Sequence, residues 1–453
     1  MANIYDLPLA FNLTRRYTVF SFKRYYGEFI ITGKENIPTE GPVIFAPNHT
    51  NALMDAIAVH AIVRSTLPII FLARADLFKN KNAAKFLRFV KIMPAFRMRD
   101  GMENLGRNNE VFDMCVEVLM NRKALGIMPE GNQEIERKLR PLVKGIFRIA
   151  FAAQQKLEVQ NSVKIIPVGL DFGSIVKANK HIIINVGKPI DVADYMNSYN
   201  ENPVTATNEI RDRLRTDLEK LSFNLATENY YECFETATET ATTSTLKELN
   251  LPDNTLNRFK ARQTVAERLV ALESSRPERV KSLAELCSKY TIALKKLNLR
   301  CGILDKQAAS ATNLLLNGLL SIATLPIFLI GFALNFIPFL TPVFIRKYII
   351  KPEFTGFFSS LQFGLGMLTF PLCYILQTIL FGCVISSEWW CLLLFLFSQF
   401  PLGKIALGWY SRTKKHIAKC RYKILVQKKS SELLVAQTLR EQIIRMISDD
   451  SLK

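Results

Sequence analysis

Two residues of the stretch GPVIFAPNHTNALMDAIAV (41–59), His49 and Asp55, could act together as a general base. A neutral imidazole can accept a hydroxyl proton near neutral pH. A carboxylate on the second ring nitrogen would fix the tautomer and stabilise the imidazolium that forms. A helix that begins near Thr50 or Asn51 could carry Asp55 back toward the ring. Taken alone, such a pair is more typical of two polar residues at the edge of a helix than of a catalytic site.

Charged and turn-forming residues follow two further strand-like segments. Arg97 and Arg99 come after the apolar run IMPAF, and Glu130 and Gly131 form a sharp turn after ALGIM. Guanidinium groups bind phosphate oxygens well. A glutamate and a glycine at a strand end could hold a carboxylate and backbone donors around a polar ligand. Ligand crevices of open α/β sheets lie at the carboxyl ends of the strands, so these residues indicate a binding site there.

Short apolar segments alternate with helical patterns over residues 1–220, and this alternation must position the site. Strands are predicted at 42–47, 69–73, 92–96, 124–128, 164–170 and 181–187. Helices are predicted between them, at 53–63, 81–90, 103–121 and 142–156. The pattern predicts an α/β domain with a largely buried sheet. Pro167 inside one strand indicates an edge strand or a bulge.

The order and spacing of these motifs resemble those of the glycerolipid acyltransferases, over roughly residues 25–220. That family shares an N-H-x-S/N-x-x-D block, a block with glycine and arginine, a P-E-G block and a proline-centred block. The matching positions are Asn48, His49 and Asp55 in PNHTNALMD, Arg97 with Arg99 close by in MPAFRMRD, Pro129, Glu130 and Gly131 in MPEGNQE, and Pro167 in IIPVGL. Two smaller matches are Arg74 in LARADLFKN and Lys144 in LRPLVKGIF.

The resemblance implies a mixed sheet flanked by helices and acyl transfer from an acyl thioester, on coenzyme A or acyl carrier protein, to a glycerolipid hydroxyl. His49 would be the general base, oriented by Asp55, and the alkoxide would attack the thioester directly. No serine or cysteine lies in a G-x-S-x-G turn, which agrees with a mechanism without an acyl-enzyme. Backbone amides near His49 would stabilise the oxyanion. Neither a metal nor a resident cofactor is expected.

The remaining matched residues would bind substrate. Arg97, with Arg99 and Lys144, would hold the acceptor phosphate, and Glu130 and Gly131 would shape the turn around the glycerol. Arg74 and Asn48 complete the predicted substrate-binding set. The acceptor would be glycerol 3-phosphate or 1-acylglycerol 3-phosphate, in phospholipid biosynthesis.

Two departures from the family pattern leave alternatives open. Five residues separate His49 from Asp55 where the family usually has four, and Gln133 stands where the family often has arginine. The phosphate charge would then fall more heavily on Arg97, Arg99 or Lys144. The alternatives are a non-catalytic lipid-binding or scaffold protein that keeps the fold, and a transacylase that moves chains between lipids without coenzyme A.

The composition favours anionic partners. The 453 residues carry a formal net charge of +19, and the sequence pI is about 9.5. Neither helix-turn-helix spacing nor interleaved basic and aromatic residues accompany that charge, so nucleic acid is not an expected partner. The eight cysteines show no paired C-x-x-C spacing, which favours free thiols in a reduced compartment.

Long uncharged stretches in the C-terminal third predict a membrane-spanning region. Residues 307–345, 354–387 and 389–403 carry no charge, and a span needs about 20 apolar residues. Two plus two spans, or a re-entrant hairpin plus two, would place the basic loop 346–351 and the basic tail on the cytoplasmic side. The alternative is a set of buried helices in a soluble protein.

No signal peptide opens the sequence, so the N-terminal half is expected in the cytoplasm, on an inner or cytoplasmic membrane. Residues 11–31 could lie in the headgroup plane beside anionic lipid or form an ordinary packed helix. Residues 205–305 read as charged helices, with a linker at 237–255. The predicted organisation is an interfacial segment 1–30, an α/β domain 31–220, a charged helical region 221–306, a transmembrane region 307–410 and a cytoplasmic tail 411–453.

Overall fold

The computed structural model describes residues 8–64, 67–95, 105–157, 161–305, 309–352 and 354–448. The chain forms two compact units. The first comprises Met1–Asn224 and Glu353–Ser360, and the second comprises Leu225–Pro352 and Leu361–Lys453.

A mixed eight-stranded sheet is the centre of the first unit, as the sequence predicts. Its strands are β1 (Glu28–Thr32), β2 (Val43–Pro47), β3 (Ile69–Arg74), β4 (Ile92–Ala95), β5 (Ala124–Gly126), β6 (Lys164–Phe172), β7 (His181–Val186) and β8 (Ile190–Asp191). Their order is β1-β7-β6-β2-β5-β3-β4, with β8 beside the start of β6. The pairings of β6 with β7 and β8 are antiparallel and the others are parallel.

Helices cover this sheet, so its central strands are buried on both faces. They are α1 (Leu9–Tyr25), α2 (Leu53–Ile62), α3 (Lys81–Phe89), α4 (Leu105–Met120), α5 (Gly145–Gln154), α6 (Met196–Glu201) and α7 (Pro203–Leu221). Every residue of β2 is buried, and Ile44, Ile165, Leu119 and Phe147 share one core cluster. Near-continuous apolar strands are typical of such a covered sheet.

The stretch 11–31, considered as one interfacial segment, divides in the structure into helix α1 and strand β1. Strand β1 begins at Glu28 and pairs in parallel register with β7. The apolar residues at its end therefore belong to the sheet.

Pro167 lies in an interior strand, so the edge-strand alternative is wrong. Strand β6 pairs with β2 on one side and with β7 and β8 on the other. The Pro167 carbonyl accepts a hydrogen bond from the Gly187 N–H (2.9 Å), at the connection between β7 and β8. In a strand the N–H and C=O of one residue point to the same side. The N–H that proline lacks would therefore point toward the connection between β7 and β8. The sheet loses no hydrogen bond between strands at that position.

The second unit is helical. Its helices are α8 (Tyr231–Glu248), α9 (Thr255–Ser275), α10 (Pro277–Leu297), α11 (Cys301–Leu304), α12 (Ala311–Ala323), α13 (Leu325–Phe344), α14 (Phe358–Val384, whose first residues belong to the first unit), α15 (Trp389–Gln427) and α16 (Ser431–Ser448). Short 3₁₀ segments lie at Lys34–Asn36, Ala75–Phe78, Val192–Tyr195 and Thr355–Phe357, and a π-helical segment lies at Ile345–Ile350.

The linker predicted at 237–255 is wrong, because most of it belongs to helix α8. Four of its threonines are buried, and the hydroxyls of two of them donate to carbonyls one turn earlier: Thr240 to Thr236 (2.7 Å) and Thr242 to Thr238 (2.6 Å). Threonine lowers helix propensity, but these bonds satisfy the polar atom inside a packed helix.

Three helices of the described residues are long and apolar enough to cross a membrane. They cover Leu325–Ile350, Thr355–Val384 and Trp389–Gln427, and the apolar helix α12 is shorter. These helices indicate membrane association. The number of spans stays a prediction.

The apolar helices of the second unit contact one another through small and polar residues. A Cβ on Gly331 would meet the Leu402 carbonyl, so α13 and α15 approach closely at that glycine. The Asn335 amide donates to the Gln399 carbonyl (3.1 Å), and the Tyr374 hydroxyl donates to Asn335 Oδ1 (2.6 Å). Small residues at crossings and interhelical hydrogen bonds are typical of helices that associate in a bilayer.

Candidate active site

His49 and Asp55 are in hydrogen-bond contact at the edge of the sheet. His49 Nδ1 lies 2.9 Å from Asp55 Oδ2. The Asp55 side chain is fully buried and that of His49 is 17% exposed. Among the described residues Nε2 of His49 has no partner, so this nitrogen is available to a substrate hydroxyl. Because β2 and β5 are parallel, their carboxyl ends place His49 and Glu130 at the same edge.

All hydrogen bonds to the Asp55 carboxyl group within the described residues are made to one oxygen, Oδ2. Besides the imidazole, the N–H groups of Thr50 (3.0 Å) and Asn51 (2.8 Å) donate to Oδ2. Within the described residues the buried Oδ1 has no hydrogen-bond partner. Burial raises the pKa of the Asp55 carboxyl, whereas the bonds from His49, Asn51 and Thr50 oppose that shift.

A strained turn accommodates the five-residue spacing between His49 and Asp55. The Met54 N–H donates to the Asn51 carbonyl (2.9 Å), and Ala52 between them has φ 47° and ψ −122°. This is the conformation of the second residue of a type II′ turn, which favours glycine. Helix α2 begins after this turn, at Leu53, and Asp55 in its first turn faces the imidazole. The turn thus takes up one residue before the helix begins.

Glu130 holds the backbone of His49 from the neighbouring strand end. Its Oε1 accepts the His49 N–H (2.7 Å), and its Oε2 accepts the Arg140 N–H (3.1 Å) and Nε (3.2 Å). The Arg140 guanidinium also donates to the His49 carbonyl (3.2 Å). Burial raises the pKa of the Glu130 carboxyl, and these donors partly oppose it. One carboxyl oxygen therefore holds the His49 N–H directly, and the other acts through Arg140; the role that the resemblance implies for Glu130, shaping the turn around the glycerol, stays a prediction.

We expect Glu130→Gln to lower the free energy of unfolding by about 1–3 kcal/mol and to reduce any activity that depends on His49. A glutamine offers one carbonyl oxygen, so its amide nitrogen would face a donor N–H of His49 or Arg140. Thermal unfolding of the variant would measure the loss. The control is Glu134→Gln, because that side chain is 54% exposed and lies 3.4 Å from Arg140. Equal stability of the two variants would contradict the positioning role of Glu130.

The structure places the other residues of the predicted site in different surroundings. The Asn48 amide is buried and bonds the Leu170 backbone twice, donating to its carbonyl (3.1 Å) and accepting its N–H (2.6 Å). Gly131 has φ +64° and closes the turn after β5, a conformation that favours glycine. Lys144 is exposed directly before α5 and follows Val143, whose N–H donates to the Pro129 carbonyl (2.7 Å).

The arginines of the predicted phosphate site are only partly described. Arg74 ends β3, and its guanidinium makes a two-point ion pair with Asp76 (3.0 and 2.5 Å). Its charge is thus paired within its own loop. Arg97 and Arg99 lie outside the described residues, two and four positions after the end of β4.

The peptide N–H groups around His49 bind carboxylates of the protein. The N–H of His49 donates to Glu130, and those of Thr50 and Asn51 donate to Asp55. The expectation that backbone amides of this block stabilise an oxyanion is therefore wrong for these three groups. As for metal ligands, no group of three or more His, Cys, Asp or Glu side chains in the described ranges could hold an ion.

Sequence reasoning missed two residues that contact this site. Arg140 lies inside the quoted segment LRPLVKGIF, and an arginine after a P-E-G turn could have indicated a partner for the glutamate. Ser359 donates to the side-chain oxygen of Asn51, and no local pattern indicates this contact across 308 positions.

Comparison with known proteins finds a family match for the segment that carries this site. The family model described as Acyltransferase matches residues 28–171. Glycerol-3-phosphate O-acyltransferase 1 of Saccharomyces cerevisiae is 27% identical over 106 residues, which are 23% of this chain and 14% of that protein. The chain therefore matches a small part of that relative's length.

A solved structure was also found. It is the crystal structure of the 1-acyl-sn-glycerophosphate (LPA) acyltransferase PlsC from Thermotoga maritima, and its superposition on this chain has a TM-score of 0.33. The sequence identity is 18%, and the match covers 46% of this chain and 78% of that one. The family match runs from the start of β1 to Asp171 in β6 and includes His49, Asp55 and Glu130. Residues 28–171 of this chain thus resemble the acyltransferase family, and they carry the candidate site.

Proposed function

We propose that the protein is a membrane-bound O-acyltransferase that moves a fatty acyl group from an acyl thioester to glycerol 3-phosphate or 1-acylglycerol 3-phosphate. The observation that carries the proposal is the 2.9 Å contact of His49 Nδ1 with the buried Asp55 carboxyl, within the segment that matches the acyltransferase family. This contact leaves Nε2 of His49 for the acceptor hydroxyl. The names of the relatives support a glycerol phosphate acceptor.

In the proposed reaction, His49 Nε2 takes the proton of the acceptor hydroxyl while the oxygen attacks the thioester carbonyl. Asp55 holds Nδ1–H and stabilises the imidazolium. Collapse of the tetrahedral intermediate breaks the carbon–sulfur bond, and the thiolate leaves with the proton that the imidazolium returns. The products are an ester and the free thiol of coenzyme A or acyl carrier protein.

The acceptor phosphate is assigned to cations at the same edge of the sheet. Lys144, exposed beside the P-E-G turn, supports this assignment, and Arg97 and Arg99 remain in the proposed set because they follow β4 in sequence. Arg74 contributes less, because Asp76 already pairs its guanidinium. Gln133 carries no charge, so the set excludes it.

The proposal places the protein in a membrane that supplies its acyl chains and receives its products. Besides the three long apolar helices, α1 supports this placement. Its exposed face carries apolar side chains at spacings of four, four and three residues together with basic ones: Leu9, Leu13, Tyr17 and Phe20, with Arg16, Lys23 and Arg24. Such a face suits the headgroup region of an anionic leaflet.

The domain boundaries and the orientation belong to the same proposal. They are an interfacial segment 1–30, the acyltransferase domain 31–220, the charged helical region 221–306, the transmembrane region 307–410 and the basic tail 411–453. The basic loop and tail favour a catalytic domain on the cytoplasmic side.

An assay of membranes that carry the protein tests the function. Labelled glycerol 3-phosphate and labelled lysophosphatidate are each incubated with acyl-coenzyme A or acyl carrier protein, and acylated label and free thiol are measured. We expect one acceptor to be acylated with equimolar thiol release. Acylation without any thioester would indicate a transacylase, and no acylation with either donor would favour a non-catalytic lipid-binding protein.

A further inference from the structure

A hydrogen bond joins the loop of the His49–Asp55 pair to a distant part of the chain. The Ser359 hydroxyl donates to Asn51 Oδ1. Both residues lie in the first unit, which includes Glu353–Ser360. Ser359 is 1% exposed and Asn51 is fully buried. Ser359 lies in the first turn of α14, one of the helices that are apolar enough to cross a membrane.

Asn51 is well placed to control the geometry of the pair. Its N–H donates to Asp55 Oδ2, the oxygen that also contacts His49, and its carbonyl accepts the N–H of Met54. The next residue is the strained Ala52, whose backbone conformation must be imposed by its surroundings. A fixed Asn51 side chain therefore restrains the backbone of the turn that carries Asp55 to the imidazole.

The Ser359 hydroxyl is the side-chain partner that holds Asn51. In the described part of the chain, Asn51 Nδ2 has no hydrogen-bond partner, so Oδ1 makes the hydrogen bond of this buried amide. Without the hydroxyl, both ends of the amide would be buried without a partner, which favours rotation of the side chain and movement of the turn.

We propose that Ser359 is a positioning residue for acyl transfer, which acts through Asn51 to hold Asp55 against His49. This inference rests on the proposed function and adds to it that Ser359, in the first turn of α14, positions the catalytic pair. The α/β domain would then need this later segment of the chain for full activity, although 308 positions separate it from Asn51.

The neighbouring residue provides a matched control. Ser360 is buried as well, at 8% exposure, and over the described residues its hydroxyl has no hydrogen-bond partner. Ser359→Ala and Ser360→Ala thus remove the same atom from adjacent buried positions, and only the first removes a bond to the loop of the pair. Ser359→Thr keeps a hydroxyl and tests rescue.

The experiment compares kcat, KM and amide hydrogen exchange of the full-length variants in membranes. We expect Ser359→Ala to lower kcat about 10- to 100-fold with KM for either substrate changed less than about twofold, because misplacement of a catalytic group affects the chemical step. Ser359→Thr should recover most of the rate, and Ser360→Ala should match the wild type. Exchange at the amides of Thr50 and Asn51 should accelerate only in Ser359→Ala.

Two results would overturn the inference: unchanged exchange and kcat in Ser359→Ala, or equal losses in both alanine variants. Exchange is measured without substrate, so it separates the inference from the proposed function. If the wild type transfers no acyl group and Ser359→Ala still loosens only these amides, the positioning contact stands and the function fails. If transfer proceeds and the amides do not respond, the function stands and the positioning role fails.

Discussion

A His49→Ala protein should lose acyl transfer while it remains folded. Removal of a positioned general base lowers a rate by about 10²- to 10⁴-fold, and in the proposed mechanism no other group takes the proton of the acceptor. The fold should survive because the contacts that order this segment belong to its backbone. Glu130 accepts the His49 N–H, and Arg140 donates to its carbonyl, whatever side chain the residue carries.

The measurement is the rate of thiol release and acceptor acylation by membranes that contain equal amounts of folded protein. His181→Ala is the matched control, because His181 also faces a buried carboxyl, with Nε2 3.4 Å from Asp171 Oδ2. Its side chain is 28% exposed, so its removal is tolerable. We expect the control to keep near wild-type turnover per folded molecule. A His49→Ala rate near that of the wild type would contradict the mechanism.

The sequence predicts the sheet well because its signal is local. Six apolar, β-branched segments between helical patterns mark six of the eight strands, each within two residues of its observed bounds. The other two lack that signal. Strand β1 follows an aromatic helix without a change in composition, and β8 has two residues. The threonine-rich sequence predicts a linker over most of helix α8, since threonine has low helix propensity, and burial overrides that propensity.

The site divides in the same way between local and distant signals. His49, Asp55 and Glu130 are recognisable because each lies in a short motif after a predicted strand. The reach of Asp55 could not be predicted, because it depends on the positive φ of Ala52, a conformation that no preference of alanine indicates. Arg140 and Ser359 contact the site across loops, and the partners that the fold supplies for the polar atoms of Glu130 and Asn48 also include residues that are distant in sequence.

An Asp55→Asn protein should lose most of its activity without losing stability, and the geometry of the carboxyl group explains why. All three donors meet Oδ2, and within the described chain Oδ1 has no partner. The asparagine oxygen can therefore take the place of Oδ2 and accept the same bonds. What disappears is the negative charge that stabilises the imidazolium, so we expect kcat to fall by about 10²- to 10⁴-fold.

The stability of this variant should depend on pH in a defined direction. Burial raises the folded-state pKa of the Asp55 carboxyl above its unfolded value. Such a group contributes stability below the unfolded pKa, and the contribution is lost as the pH rises through the folded-state value. Above that pH the wild type holds a buried carboxylate and the variant does not. The variant should therefore gain stability relative to the wild type as the pH rises from the unfolded-state pKa of about 4 through the folded-state value.

Asp55→Ala separates the charge from the hydrogen bonds. It removes the acceptor of the Thr50 and Asn51 N–H groups and leaves a cavity beside α2. We therefore expect activity to fall and the free energy of unfolding to decrease by about 1–3 kcal/mol. The two variants thus share the loss of kcat and differ in melting temperature. If Asp55→Asn unfolds as easily as Asp55→Ala, the asparagine oxygen does not replace Oδ2, and the loss of kcat in Asp55→Asn could no longer be assigned to the missing charge alone.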